Sequence, residues 1–223
     1  FKGKFPKLTQ LKVAFSRDGF HWDRSDRDVF IAATKKEGDW DRGYVRAAGG
    51  CCLVVGDQLY FYYSADSGFN EEHVPYIYAG GSTHVAMLRR DGFASMHAEG
   101  PGGDLLTRPV QFGGRYLFVN ADAPEGALTA EVQDENGQVI APYSAAHCVP
   151  VGGDHCKLRI DWNGAADLSA VSGRTVRFRF HLKAGKLYAF WVSPDPAGAS
   201  NGYVAAGGPG FAGPVDAPVA GSH

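Results

Sequence analysis

Two stretches of the 223-residue chain hold the side chains best suited to chemistry. Residues 64–84, SADSGFNEEHVPYIYAGGSTH, bring together Asp66, Asn70, Glu71, Glu72, His73 and His84. Carboxylate and amide oxygens at that density suit a hard cation such as calcium, which takes about six to eight oxygen ligands. Asp66, Asn70, Glu71 and Glu72 are the candidate ligands, and His73 or His84 the base for a metal-activated water. The spacing is not that of an EF-hand loop, and a solvated acidic loop is the plain alternative. Residues 33–46, ATKKEGDWDRGYVR, offer Asp39, Trp40, Asp41, Arg42 and Tyr44. An aromatic ring beside carboxylates and an arginine gives a sugar a stacking face and paired hydrogen-bond partners. The competing reading buries Trp40 and pairs Asp41 with Arg42.

A third stretch, HCVPVGGDHC at 147–156, invites a zinc reading through His147, Cys148, Asp154, His155 and Cys156. Adjacent residues on a strand point apart, so a loop with incidental cysteines is the preferred reading. There is no Gly-x-Ser-x-Gly elbow and no phosphate-binding glycine loop, and Ser193 and Ser200 have no sequence-visible His/Asp partners. The sequence thus implies no nucleotide or organic cofactor, and calcium is the one metal it suggests.

Composition narrows the partners. The net charge is −2 with Lys and Arg scattered, which argues against nucleic acid. No run approaches the roughly eighteen apolar residues of a membrane-spanning helix. The chain opens on FKGKFPKLTQ without a visible signal peptide; an extracytoplasmic location is slightly favoured. Four cysteines are too few for a disulfide scaffold, and Cys148 and Cys156 read as thiols rather than as a bridge.

The elements that must position these residues are strands. Thirty glycines, twelve prolines, 14 Phe, 10 Tyr and 4 Trp fit short strands and tight turns. CCLVVGDQLYFYYSAD reads as strand, Gly56-Asp57 turn, strand. HVAMLRRDGFASM adds two strands about an Arg-Asp-Gly turn, which makes residues 44–97 a four-stranded meander, the unit of a β-propeller blade. FSRDGFHWDR at 15–24 is echoed by LRRDGFASMH at 88–97, and the echo reads as a blade repeat. Both Arg-Asp-Gly turns are structural, with glycine taking the positive φ. Beyond residue 100 the strands are closely spaced and unrepeated. In TVRFRFHL, Val176, Phe178, Phe180 and Leu182 face one way while Arg177, Arg179 and His181 face the other. Asn136-Gly137 and Ala184-Gly185 read as hairpin turns, and DLSAVSG at 167–173 hints at one turn of helix. The expected fold is all-β: an incomplete propeller of about one to one and a half blades at 1–100, a β-sandwich at 101–210 and a surface tail at 211–223.

The segments VAFSRDGFHWDR, GDQLYFYYS and LRRDGF, followed by LYAFWVSPDPAGASNGYVAAGGPGF, resemble the C-terminal third of bacterial glycoside-hydrolase-like proteins. These are similar to the invertase, levansucrase and arabinanase clan, whose fold is a five-bladed β-propeller often followed by a β-sandwich. The resemblance covers most of the chain; its first half is a generic blade motif and its second half is more distinctive. It implies that the 33–46 and 64–84 loops lie on the substrate-facing rim. It also implies that the three catalytic carboxylates belong to earlier blades, which have no counterpart here, so a complete glycosidase is not expected. Three functions remain open. One is a glycosidase-like fragment retaining carbohydrate binding or a residual hydrolase role. Another is a calcium-dependent hydrolase of a small ester or lactone, built on the acidic loop. The third is a non-catalytic partner-binding module, homo-oligomeric or completed by missing blades.

Overall fold

The computed structural model describes residues 7–69, 75–76 and 78–217. Its regular structure is all β, with eleven strands and no helix among the described residues. The chain forms two compact units, the first ending at Met87 and the second beginning at Leu88.

In the first unit β1 (Phe15–Ser16) and β2 (Trp22–Asp23) make a short hairpin. Three longer strands, β3 (Gly43–Val55), β4 (Gln58–Asp66) and β5 (Gly81–Arg89), form a sheet in that order. The Gly56-Asp57 turn joins β3 to β4 as expected, pairing Val55 with Gln58. Gly56, at φ 57°, takes the first central position, where a type II′ turn requires glycine. Pairing then slips: Cys52 faces Phe61 and Ala47 faces Tyr63, so residues 48–51 oppose Tyr62 alone. This wide bulge falls on Gly49-Gly50, the weakest strand formers of β3. One face of the sheet is covered by the chain before it. Leu11 and Ile31 bridge and pack with Ala33, Val45 and Ala65, while Phe30 meets Phe61 edge-on at 5.3 Å.

The expected fourth strand does not join this sheet. β6 (Met96–Ala98) pairs with a strand of the second unit instead. The two echoed Arg-Asp-Gly segments also turn differently. In the first, Asp18 accepts from the Phe20 and His21 N–H groups and Gly19 takes φ 77°. In the second, Gly92 N–H donates to Arg89 O, and Asp91 rather than glycine takes the positive φ, at 55°. Similar residues therefore build one hairpin and one simple turn.

The second unit adds β7 (Gly103–Leu106), β8 (Tyr116–Gln133), β9 (Val151–Ile160), β10 (Arg177–Lys183) and β11 (Gly185–Ser193). They form one six-stranded, nearly closed, barrel-like sheet in the order β6-β11-β8-β10-β7, with β9 on β8. The Ala184-Gly185 hairpin is not formed. Lys183 pairs with Ala127 and Lys186 with Asp122, so β10 and β11 run on in one line antiparallel to β8. β6 and β7 follow the same line on its far side.

All three lines bend at the same level, and glycines make the bend. A Cβ on Gly126 would lie 1.8 Å from Lys183 O, and one on Gly185 would lie 2.7 Å from both Ala123 Cβ and Asp122 O. β8 registers the bend in its pattern: Leu117, Val119, Ala121 and Ala123 are buried before it, Leu128, Ala130 and Val132 after it. The inward parity changes from odd to even because extra residues are accommodated at the corner.

The core fills the fold of this sheet. Val176, Phe178 and Phe180 are at most 1 % exposed, bearing out the alternation read in TVRFRFHL. Burying each Phe contributes about 1.5–3 kcal/mol. Trp162 donates its indole N–H to Ala130 O at 2.9 Å and meets Tyr143 edge-on at 5.5 Å. Residues 167–173 make turns only, with the Val171 and Ser172 N–H groups both reaching Leu168 O. Asp134 closes the Asn136-Gly137 turn as expected, and Gly137 takes φ 81°.

Candidate functional site

The 33–46 loop folds back on itself before entering β3. Thr34 N–H donates to Asp41 O and Lys35 N–H to Arg42 O, with Gly38 at φ 92° in the reversal. These bonds set Trp40 at the end of the three-stranded sheet where β3 begins and β4 ends. Trp40 is 40 % exposed, which rules out the buried reading. Its indole stacks on the His84 imidazole, with centroids 3.5 Å apart and planes at 26°. Tyr63 completes the group, 6.2 Å from Trp40 and 6.0 Å from His84. His84 Nε2 lies 3.0 Å from Ser82 Oγ, which helps fix the ring under the indole.

Tyr63 was not among the expected residues. Its signal lay in the alternation of β4: Tyr63 shares a sheet face with buried Ala65, two positions along. Burial pushes the Tyr63 hydroxyl pKa up, and the charge of Asp41 pushes it further in the same direction. The Asp41 carboxylate thus acts on this aromatic group. Asp39 occupies the reversal itself, its N–H directed at Lys36 O.

Arg42 and Asp66 are placed elsewhere. Arg42 is buried, 3.9 Å from Glu37 and 5.1 Å from the Phe69 ring centroid; its ion pair is with Glu37, not with Asp41. Asp66 is also buried and accepts from Arg46 at 2.9 Å, while Arg46 Nε reaches Ser64 at 3.2 Å. Ser64 and Asp66 alternate with Tyr63 and Ala65 along β4, so this group occupies the opposite face of the sheet from the Trp40 group. Tyr44 belongs with it, its ring 4.1 Å from the Arg46 guanidinium and 5.1 Å from Tyr78. Desolvation raises the Asp66 pKa, and the Arg46 charge opposes the shift. The expected substrate-binding set is thereby divided: Trp40 and Asp41 join His84, whereas Arg42 and Tyr44 do not.

Asn70, Glu71, Glu72 and His73 lie outside the described residues. Among the described residues no three His, Cys, Asp or Glu side chains converge as a metal site. The His147–Cys156 stretch is drawn apart: His147 meets Ser144, and buried Cys148 Sγ accepts from Ala130 N–H. Cys148 and Cys156 are thiols, not a bridge.

The second unit carries one further polar group, on the outer face of its sheet. Asp104 holds both His181, at 2.8 Å, and Arg179, and the other side of the His181 ring stands 3.7 Å from Glu131. These contacts tie β7, β10 and β8 across their width.

Fold and site together define an all-β protein with a partly exposed Trp–His–Tyr surface at the end of a small sheet. No family model matches the chain, and no similar curated protein or solved structure was found.

Proposed function

We propose that this chain is a carbohydrate-binding protein that takes a sugar ring on the open face of Trp40. The observation carrying this reading is the Trp40–His84 stack: a large indole held flat from beneath and left partly exposed. A pyranose presents a face of C–H bonds to such a ring and directs its hydroxyls outward. The Tyr63 hydroxyl and the Asp39 and Asp41 carboxylates are the polar groups near enough along the chain and sheet to meet them. No paired carboxylates stand at the platform as a glycosidase would need, so binding rather than hydrolysis is the activity assigned. In ancestry we read the chain as a glycosidase-like fragment without its catalytic blades. The three-stranded sheet would be the remnant of a blade, and the barrel-like sheet the companion sandwich.

The test is calorimetric titration with a panel of neutral oligosaccharides, run on the wild type and on Trp40→Ala. Wild-type binding that weakens about tenfold or more in Trp40→Ala, on the order of 1.4 kcal/mol, is expected. Circular dichroism should be unchanged, because a 40 % exposed ring contributes little to the core. Equal affinities in the two proteins would contradict the assignment.

A further inference from the structure

We infer that the Trp40 platform, taken as the sugar site proposed above, selects a sugar carrying a protonated amine over its N-acylated counterpart. The faces of indole and phenol rings bear negative charge density, and a cation above them is attracted by it. Trp40 and Tyr63 present two such rings 6.2 Å apart. Of the charged groups, Asp41 is the one whose field reaches the Tyr63 hydroxyl, so the platform carries a carboxylate as well as ring faces. The neighbouring arginines are engaged elsewhere: Arg42 with Glu37 and the Phe69 ring, Arg46 with Asp66 on the other face of the sheet. Two aromatic faces and one carboxylate with no arginine among them are the chemistry that holds an ammonium group. An N-acyl group offers neither the charge nor its strong donors, and a uronate would be repelled by Asp41.

The experiment compares a glucosamine oligosaccharide with its fully N-acetylated form of the same length, at a pH where the amine is protonated. Titrations use the wild type, Asp41→Asn and Trp40→Ala. The amine form is expected to bind the wild type about fivefold tighter than the acetylated form, the scale of an exposed cation–π contact assisted by a carboxylate. Asp41→Asn should remove that preference while leaving the acetylated affinity unchanged, and added salt should shrink it. Equal affinity for the two sugars, with Trp40→Ala weakening both, would overturn the amine selectivity and leave the sugar site standing. Binding of both sugars that Trp40→Ala does not change would overturn the site itself, and the selectivity with it.

Discussion

At the scale of single residues, the Arg46–Asp66 pair shows how burial decides the cost of a mutation. Asp66 is buried, while the Arg46 side chain is 40 % exposed. Removing the arginine leaves an ionised carboxylate without its charged partner; removing the carboxylate leaves an arginine that water still reaches. Arg46→Ala should therefore destabilise by about 2–3 kcal/mol and Asp66→Asn by less than about 1 kcal/mol, read from urea denaturation at pH 7. The pH dependence has a definite sign. A carboxyl whose folded pKa is raised holds its proton more tightly in the folded state, so its ionisation weakens folding as pH rises through that value. The Arg46→Ala deficit should accordingly shrink as pH falls from 7 towards the ordinary Asp value of about 3.9. A deficit independent of pH would mean that the loss is one of packing. Asp104 has the opposite sign. The His181 hydrogen bond first, and Arg179 after it, hold its pKa low, so its contribution is complete above about pH 3.9 and is lost on further acidification. In Asp104→Asn the fall in Tm below pH 4 should be shallower than in the wild type, as followed by circular dichroism.

At the scale of elements, what was legible in the sequence was local. Strand β10 announced itself because Val176, Phe178, Phe180 and Leu182 alternate with charged residues within eight positions. Gly56-Asp57 was legible for the same reason, since a two-residue turn is specified by the residues within it. Ala184-Gly185 was misread because a small residue followed by glycine, between two strand patterns, looks the same whether the chain reverses or bends. The deciding partner is β8, some sixty positions earlier, whose Gly126 accepts the close approach of Lys183 O. The echoed Arg-Asp-Gly segments misled in a related way: turn-forming residues are shared, but the strand that follows is claimed by β11. For the site, Trp40 and His84 were legible as types, whereas their stacking was not, because 44 positions separate them. The bend has a sharp test. Gly126→Ala should cost about 3 kcal/mol or more, since its Cβ would strike backbone that cannot move aside. Gly113→Ala, which meets nothing within 4 Å, should change stability by no more than about 0.5 kcal/mol. Equal costs in thermal denaturation would remove the corner from the account.

At the scale of the whole molecule, the chain divides at Met87/Leu88 rather than near residue 100, because β6 is used by the second sheet. The two units are unequally equipped. The second has a core running from Ala98 to Leu187 with Phe178, Phe180 and Trp162 at its centre, while the first centres on Ala33, Val45 and Ala65. A fragment of residues 88–223 is expected to unfold cooperatively by itself, with a sigmoidal thermal transition; a gradual, featureless melt would show that its core is insufficient. The proposed sugar site belongs to the smaller unit. The measurement that tests it most directly is NMR shift mapping on the 15N-labelled protein during titration with a soluble oligosaccharide. The account predicts dose-dependent shifts at the Trp40 indole N–H and the Tyr63 and His84 backbone signals, with the buried Trp162 indole unmoved. Shifts confined to other residues, or no shifts with any sugar at millimolar concentration, would contradict it.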